Sequence, residues 1–287
     1  MVIGSGPGGA MVADVLTRAG WSVVIFEKGR NHLVDPDDPT RPLRRMTNDE
    51  LKFVHRHFLG PDPLVEPRTF RRGPEEGERS HVGEVNPVPA TVGGGGVHAD
   101  GKVPRFRPED FRLLSEHGPQ PDAAVADWPL DYDELEPWYA EAERVVGVAG
   151  DASANPLAGW RSGPYPMAPG PPMYGALRSA EAAAALGHHP YPAPTAANSV
   201  PYDGRPACNN CGFCAGFGCP VDAKGDPLAM LRRALATGRA ELRADTFVSR
   251  IVTTGDRATA VEFTGPDGVL RTMGAGHVVV AAGAMET

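Results

Sequence analysis

Gly4, Gly6 and Gly9 follow a short hydrophobic strand, Val2-Ile3, and open a helical stretch in GSGPGGAMVADVLTRAG. Glycines at that spacing do phosphate chemistry. The first makes a tight turn, the second lets backbone approach a pyrophosphate, and the third packs helix against strand. The helix start adds unsatisfied N–H groups and the positive end of its dipole, with Ser5, Pro7 and Gly8 completing the turn. Glu27 ends a second strand, Ser22 to Glu27, with Lys28 beside it. A carboxylate there accepts hydrogen bonds from a ribose diol and disfavours a 2′-phosphate, hence NADP. Strand before, helix after and acid at the right distance together specify a dinucleotide-binding βαβ unit.

A second constellation is CNNCGFCAGFGCP, which places Cys208, Cys211, Cys214 and Cys219 within twelve positions. The spacing C-x2-C-x2-C-x4-C-P is one residue longer than the bacterial ferredoxin run. Zinc sites pair two C-x2-C units across a longer loop, so zinc fits less well. Three readings stay open: an iron–sulfur or other metal site, a redox pair, and reduced thiols or a disulfide in a glycine-rich loop.

The elements around these residues read as α/β. Two further glycine turns occur, VGGGGVHADG (92–101) and the Ala-Gly that closes HVVVAAGA (277–284). Helices are expected over 48–58, over 108–118, from Asp133 with an apolar face of Leu135, Trp138, Tyr139, Ala142, Val145 and Val146, over 174–187, and after Asp226-Pro227. Three strands then follow, 241–254, 258–264 and 269–273, as an antiparallel meander. Eleven prolines lie between Asn155 and Pro206, an irregular but ordered segment that Trp160, Tyr165, Met167, Met173 and Tyr174 anchor by burial.

The chain has 287 residues, 41% hydrophobic and 22% charged, with net charge −8. Acidic residues spread along it argue against a nucleic-acid binder. The longest apolar run is strand-length, so no membrane span is expected, and without a secretory signal the cytoplasm is the default compartment. The short first strand and a last strand ending at a glycine turn read as a piece of a longer reading frame.

GSGPGGA with FEKG, VGGGGVHADGKVPRFRPEDF, DWPLDYDELEPWYAEAE, the CGFC…GCPVDAKG block, and AELRADTFVSRI leading to VVVAAGAMET occur in one order across nearly the whole chain. In this the sequence resembles the glucose–methanol–choline (GMC) oxidoreductases, near the bacterial branch that oxidises gluconate, sorbitol and long-chain alcohols. The resemblance implies a Rossmann-like FAD-binding domain with a parallel sheet and a three-stranded antiparallel meander, plus part of a substrate domain of α+β type. Residues 1–119 would be the first part of the FAD-binding domain, 120–235 a partial substrate region, and 236–287 the second part.

It also implies that Gly4, Ser5, Gly6, Pro7, Gly8, Gly9, Glu27 and Lys28 hold the ADP half of FAD. Gly93, Gly94, Gly95, His98 and Gly101 would lie against the flavin ring and pyrophosphate, the Val248 main chain against adenine, and Ala282 and Gly283 beside the first glycine turn. Relatives commonly carry Ser or Thr after the paired glycines, where this chain has Gly95 and Gly96. The reaction implied is hydride transfer from a CH–OH group of an alcohol or sugar-type substrate to flavin N5, with oxygen, quinone or a cytochrome as electron acceptor. The family's catalytic histidine lies in a C-terminal half that this sequence does not contain, so no catalytic residue is assigned and the fragment is expected not to turn over. Some relatives carry a three-cysteine iron–sulfur cluster at a spacing similar, not identical, to Cys208, Cys214 and Cys219, which makes Cys208, Cys211, Cys214 and Cys219 the candidate metal ligands here. The alternatives are an iron–sulfur electron-transfer flavoprotein subunit and an FAD/NAD thiol-disulfide reductase using Cys211 and Cys214, although no second G-x-G-x-x-G for NAD is present.

Overall fold

A computed structural model describes residues 1–32, 34–35, 37–38, 69–82, 89–212, 214–215 and 218–283. The helix expected over 48–58 lies outside them. The chain forms two compact units: residues 1–100, 212–220 and 226–287 make the first, and 101–211 with 221–225 the second.

In the first unit, β1 (Val2–Ile3) leads through a glycine turn into α1 (Pro7–Arg18) and back to β2 (Val23–Phe26). Parallel strands need such a crossover, and the Val/Ile/Phe runs suit strands covered on both faces. The sheet has the order β5-β2-β1-β9, all parallel, with β5 at Ala240–Arg243 and β9 at Val279–Val280. Two short strands, β3 (Thr69–Phe70) and β4 (His81–Val82), pair antiparallel apart from it. A meander of β6 (Phe247–Thr254), β7 (Arg257–Thr264) and β8 (Leu270–Gly274) forms the remaining sheet. Phe26 of β2 meets Val261 and Phe263 of β7 in a buried cluster, joined by Ile3, Val248 and Met273. The α/β class, parallel sheet and meander are therefore as the sequence predicts.

One boundary differs. The expected strand 241–254 is two strands in two sheets. After Arg243 the chain turns at Asp245, whose φ is +50°. Asp245 and Thr246 donate their N–H groups to the carbonyls of Gly29 and Glu27 at 3.0 and 2.9 Å. Those bonds hook the chain over the end of β2 and start a new sheet.

After α2 (Gly95–His98), helix α6 (Pro227–Ala236) returns to this unit and packs on α1. Asp226 caps it by accepting from Leu228 N, and Pro227 occupies the first turn where no donor is needed. Asp14 of α1, fully buried, takes Arg18 at 3.0 Å and Arg233 of α6 at 2.9 Å. That packing is why residues from 226 onward group with the dinucleotide unit rather than with a region ending at 235.

The second unit begins at Gly101 rather than at 120, because Phe111 is buried against Trp128 and Tyr132. The expected helix 108–118 is a 3₁₀ turn over Pro108–Arg112 followed by α3 (Leu113–His117). Helix α4 (Tyr132–Val146) starts on a reciprocal capping box of Asp131 and Glu134, and α5 (Tyr174–Ala185) falls where expected.

The buried face of α4 corrects the sequence expectation. Trp138 is 70% exposed, whereas Glu136 and Glu143 are buried. Arg105 bonds Glu143 through Nε and Nη2 at 2.8 and 2.9 Å and reaches Glu136 at 3.0 Å. Arg161 also pairs with Glu143 and stacks 3.8 Å over the Tyr165 ring. Two guanidinium groups and two carboxylates thus neutralise one another beside the expected apolar face, of which Val145 is buried and Leu135, Tyr139, Ala142 and Val146 are half-buried. In the proline-rich segment Met167 is buried, but Trp160, Met173 and Tyr174 are exposed and do not anchor it. Bridges from Ala149 to Met167 and to Thr195 order that segment instead.

Burial alone would raise the Glu143 and Glu136 carboxyls. The Arg105 and Arg161 bonds at Glu143, and the Ser162 N–H and Arg105 at Glu136, hold both below the ordinary value. Carboxylates depressed in the folded state add stability above the unfolded Glu value, about 4.3. Denaturant unfolding should show that contribution intact at neutral pH and falling as pH drops below about 4.3 towards the folded values. Glu143→Ala leaves two buried cations without their shared partner and should destabilise this unit by about 3–5 kcal/mol.

Candidate functional site

The first unit contains a cavity of about 910 Å³ at the carboxyl ends of β1, β2 and β9. That is the size of a large cofactor pocket and the place where ligands bind in open parallel sheets. One wall is the start of α1, with Gly4, Gly6, Pro7 and Gly8. A second is Glu27 and Lys28 at the end of β2, and a third is Gly94 and Gly95. The meander supplies Thr246 to Ile251, and the turn after β9 supplies Ala281, Ala282 and Gly283. Val248 lies among the meander residues.

Backbone bonds bring these walls together. Gly4 N donates to Phe26 O and Ala281 N to Ile3 O, both at 2.8 Å. A Cβ on Gly9 would stand 2.0 Å from the Gly4 carbonyl oxygen, so only glycine lets α1 start this close to its own turn. The predicted packing role of that residue is visible here; Gly9 itself does not line the cavity.

Ser5 does not line it either. Its side chain is fully buried, and Oγ donates to Glu27 Oε2 at 2.6 Å while accepting from Gly93 N at 2.9 Å. Ser5 N also donates to Oε2 at 3.0 Å, and Gly29 N donates to Oε1 at 2.9 Å. The sequence motif gives no hint that the serine between the first two glycines ties the acid to the second glycine turn. Only the distance from Ser5 to Gly93 in space reveals it.

Gly93 and His98 are buried behind the wall rather than on it, and Gly101 belongs to the second unit. Lining residues not singled out from sequence include Phe247, Arg250 and Ile251. Their signal was position: they flank Val248 on the strand that faces the cavity.

The cysteine block divides between the units. Cys208 and Cys211 belong to the second, Cys214 and Cys219 to the first. All four are half-buried, and none is in a disulfide. Cys208 Sγ accepts from Asn210 N at 3.3 Å. Among the described residues no three His, Cys, Asp or Glu side chains are gathered as a metal would need. No helix among the described residues is long and apolar enough to cross a membrane.

Of the departures at positions 95 and 96, the structure accounts for glycine at 96 and leaves room for a side chain at 95. A Cβ on Gly96 would lie 2.6 Å from Pro227 Cγ and 3.0 Å from Pro7 Cγ, whereas one on Gly95 meets nothing closer than 3.9 Å. Gly96→Ser should therefore lower stability by about 1–3 kcal/mol through overpacking between two rigid rings. Gly95→Ser should leave the denaturation midpoint within experimental error of the unsubstituted chain.

Residues 181–287 match the family model described as GMC oxidoreductase. Gluconate 2-dehydrogenase flavoprotein of Pantoea cypripedii is 31% identical, over 93% of this chain and 47% of that protein. Fructose dehydrogenase large subunit of Gluconobacter japonicus is 31% identical, over 100% of this chain and 52% of its own length. The chain thus spans about half the length of these curated relatives. Among solved structures, pyridoxine 4-oxidase from Mesorbium loti aligns with TM-score 0.54 at 16% identity, covering 99% of this chain and 49% of that one. An FAD-dependent oxidoreductase from Chaetomium thermophilum aligns with TM-score 0.55 at 18% identity, covering 98% and 45%. The solved structures share the fold, and the matches in sequence across nearly the whole chain place it in the GMC oxidoreductase family.

Proposed function

We propose that the first unit binds FAD, and that the whole protein is an FAD-dependent oxidoreductase acting on a CH–OH group of an alcohol or sugar-type substrate. The observation that carries this reading is the cavity of about 910 Å³ bounded by the α1 glycine turn, Glu27, Gly94 and Gly95, and the 281–283 turn. GMC oxidoreductases bind FAD, and the residues here fit it. Gly8 N–H and the positive end of α1 would meet a pyrophosphate. Glu27 has about four acceptor positions, of which Ser5 and Gly29 fill three, so one remains for a ribose hydroxyl. The meander segment around Val248 offers main chain and apolar surface to a flat ring. Gly94 and Gly95, without side chains, would admit a bulky group at close range.

Bound FAD would supply the hydride acceptor. The role of these residues is to bind it, orient it and keep water from its buried edge. The relatives support a polyol or sugar-type substrate, since two of them are named as gluconate and fructose dehydrogenases. For the cysteine block, thiols outside any disulfide and not gathered as metal ligands among the described residues favour a reduced or redox-active glycine-rich loop over a metal site, and iron and zinc analysis of the purified chain tests that reading.

The purified chain should show flavin absorbance that survives desalting, and Gly6→Val, which puts a branched side chain on the cavity wall, should abolish it. A chain that never retains flavin would overturn the proposal. In the protein extended to the length of its relatives, anaerobic addition of a suitable alcohol or sugar should bleach the flavin band.

A further inference from the structure

We infer that Ser5 is a positioning residue that presets the Glu27 carboxylate for a ribose hydroxyl and holds the Gly93–Gly95 turn beside it. The inference rests on the nucleotide-binding reading above. Ser5 is fully buried, yet it neither lines the cavity nor caps α1, whose first residue is Pro7. Its hydroxyl is used twice. It donates to Glu27 Oε2 at 2.6 Å and accepts from Gly93 N at 2.9 Å. With Ser5 N on the same oxygen at 3.0 Å and Gly29 N on the other at 2.9 Å, the carboxylate plane is fixed from both sides.

The terminal torsion of a glutamate is broad and roughly two-fold, so an unrestrained carboxylate turns easily. Pinned as here, it keeps the remaining acceptor position of Oε1 where a hydroxyl in the cavity can reach it. The same hydroxyl satisfies a buried backbone donor at Gly93, in a turn where Gly93 and Gly94 take φ of +88° and +54°. Removing Oγ would free the acid and orphan that donor together. Two walls of one cavity therefore depend on a single side chain that does not itself line it.

Titration of ADP and of 2′,3′-dideoxy-ADP into the full chain separates this role from general support of the fold. The unsubstituted chain should prefer ADP by about tenfold, the weight of one hydrogen bond to a charged acceptor. Ser5→Ala should bring that preference close to unity, and Ser5→Thr, which keeps the hydroxyl, should restore most of it. A purely structural role would weaken both nucleotides equally and leave the ratio unchanged, and that result would overturn the inference. If Ser5→Ala does not fold, Ser5→Cys, close in size but a weak donor, carries the same expectation. Failure of the unsubstituted chain to bind ADP would instead overturn the nucleotide reading, and this inference with it.

Discussion

A buried carboxylate must find donors, and Glu27 finds three of them on the two glycine segments nearest to it. Without them the cost of burying its charge would be several kcal/mol. With them it becomes the point where the β1–α1 turn, the end of β2 and the 91–94 turn meet. Its own carbonyl accepts from Thr246 N, and its N–H donates to Arg243 O. Side chain and main chain of one residue therefore join the parallel sheet, the start of the meander and the first glycine turn, and Ser5 carries the tie on to Gly93. The cavity takes its shape from that arrangement, because most of its walls are segments that Glu27 touches directly or at one remove.

The second unit meets the same constraint with a different solution. Glu136 and Glu143 are nearly inaccessible, and so are Arg105 and Arg161. Each charge has a partner of opposite sign, and the guanidinium of Arg161 lies on an aromatic face. Such a network adds geometric specificity more than net stability, since two planar forks grip one carboxylate in a single orientation. Helix α4 is thereby held in one rotational setting against 105 and 161, segments far apart in sequence.

What could be read in advance follows from how local each signal is. The βαβ start was legible because turn, helix and strand are contiguous, and each glycine has a steric reason to be there. The meander was legible from alternation and turns, but its first strand was drawn too long. The bend at Asp245 depends on bonds to Glu27 and Gly29, which lie far away in sequence. On α4 an apolar count picked out Trp138 and passed over Glu136 and Glu143, because a buried ion network is invisible until its partners are known. Ser5 was singled out as part of a phosphate-binding turn; its bond to Gly93 could not be deduced from either segment alone. Where the two units divide depends on Phe111 and α6, which choose their neighbours by packing rather than by order.

The strand order has a temporal side. β1 sits between β2 and β9, so Val2 pairs with Ile25 on one flank and with Val279 on the other. The first pairing can form as soon as both strands have left the ribosome. The second must wait until the whole second unit and the meander have been synthesised, roughly 13–51 s later at about 5–20 residues per second. During that interval β1 has an open edge, the kind of surface that other chains can pair with. Throughout that interval the strand at the heart of the cavity is paired on one side only, and guarding the other edge falls to whatever meets it first.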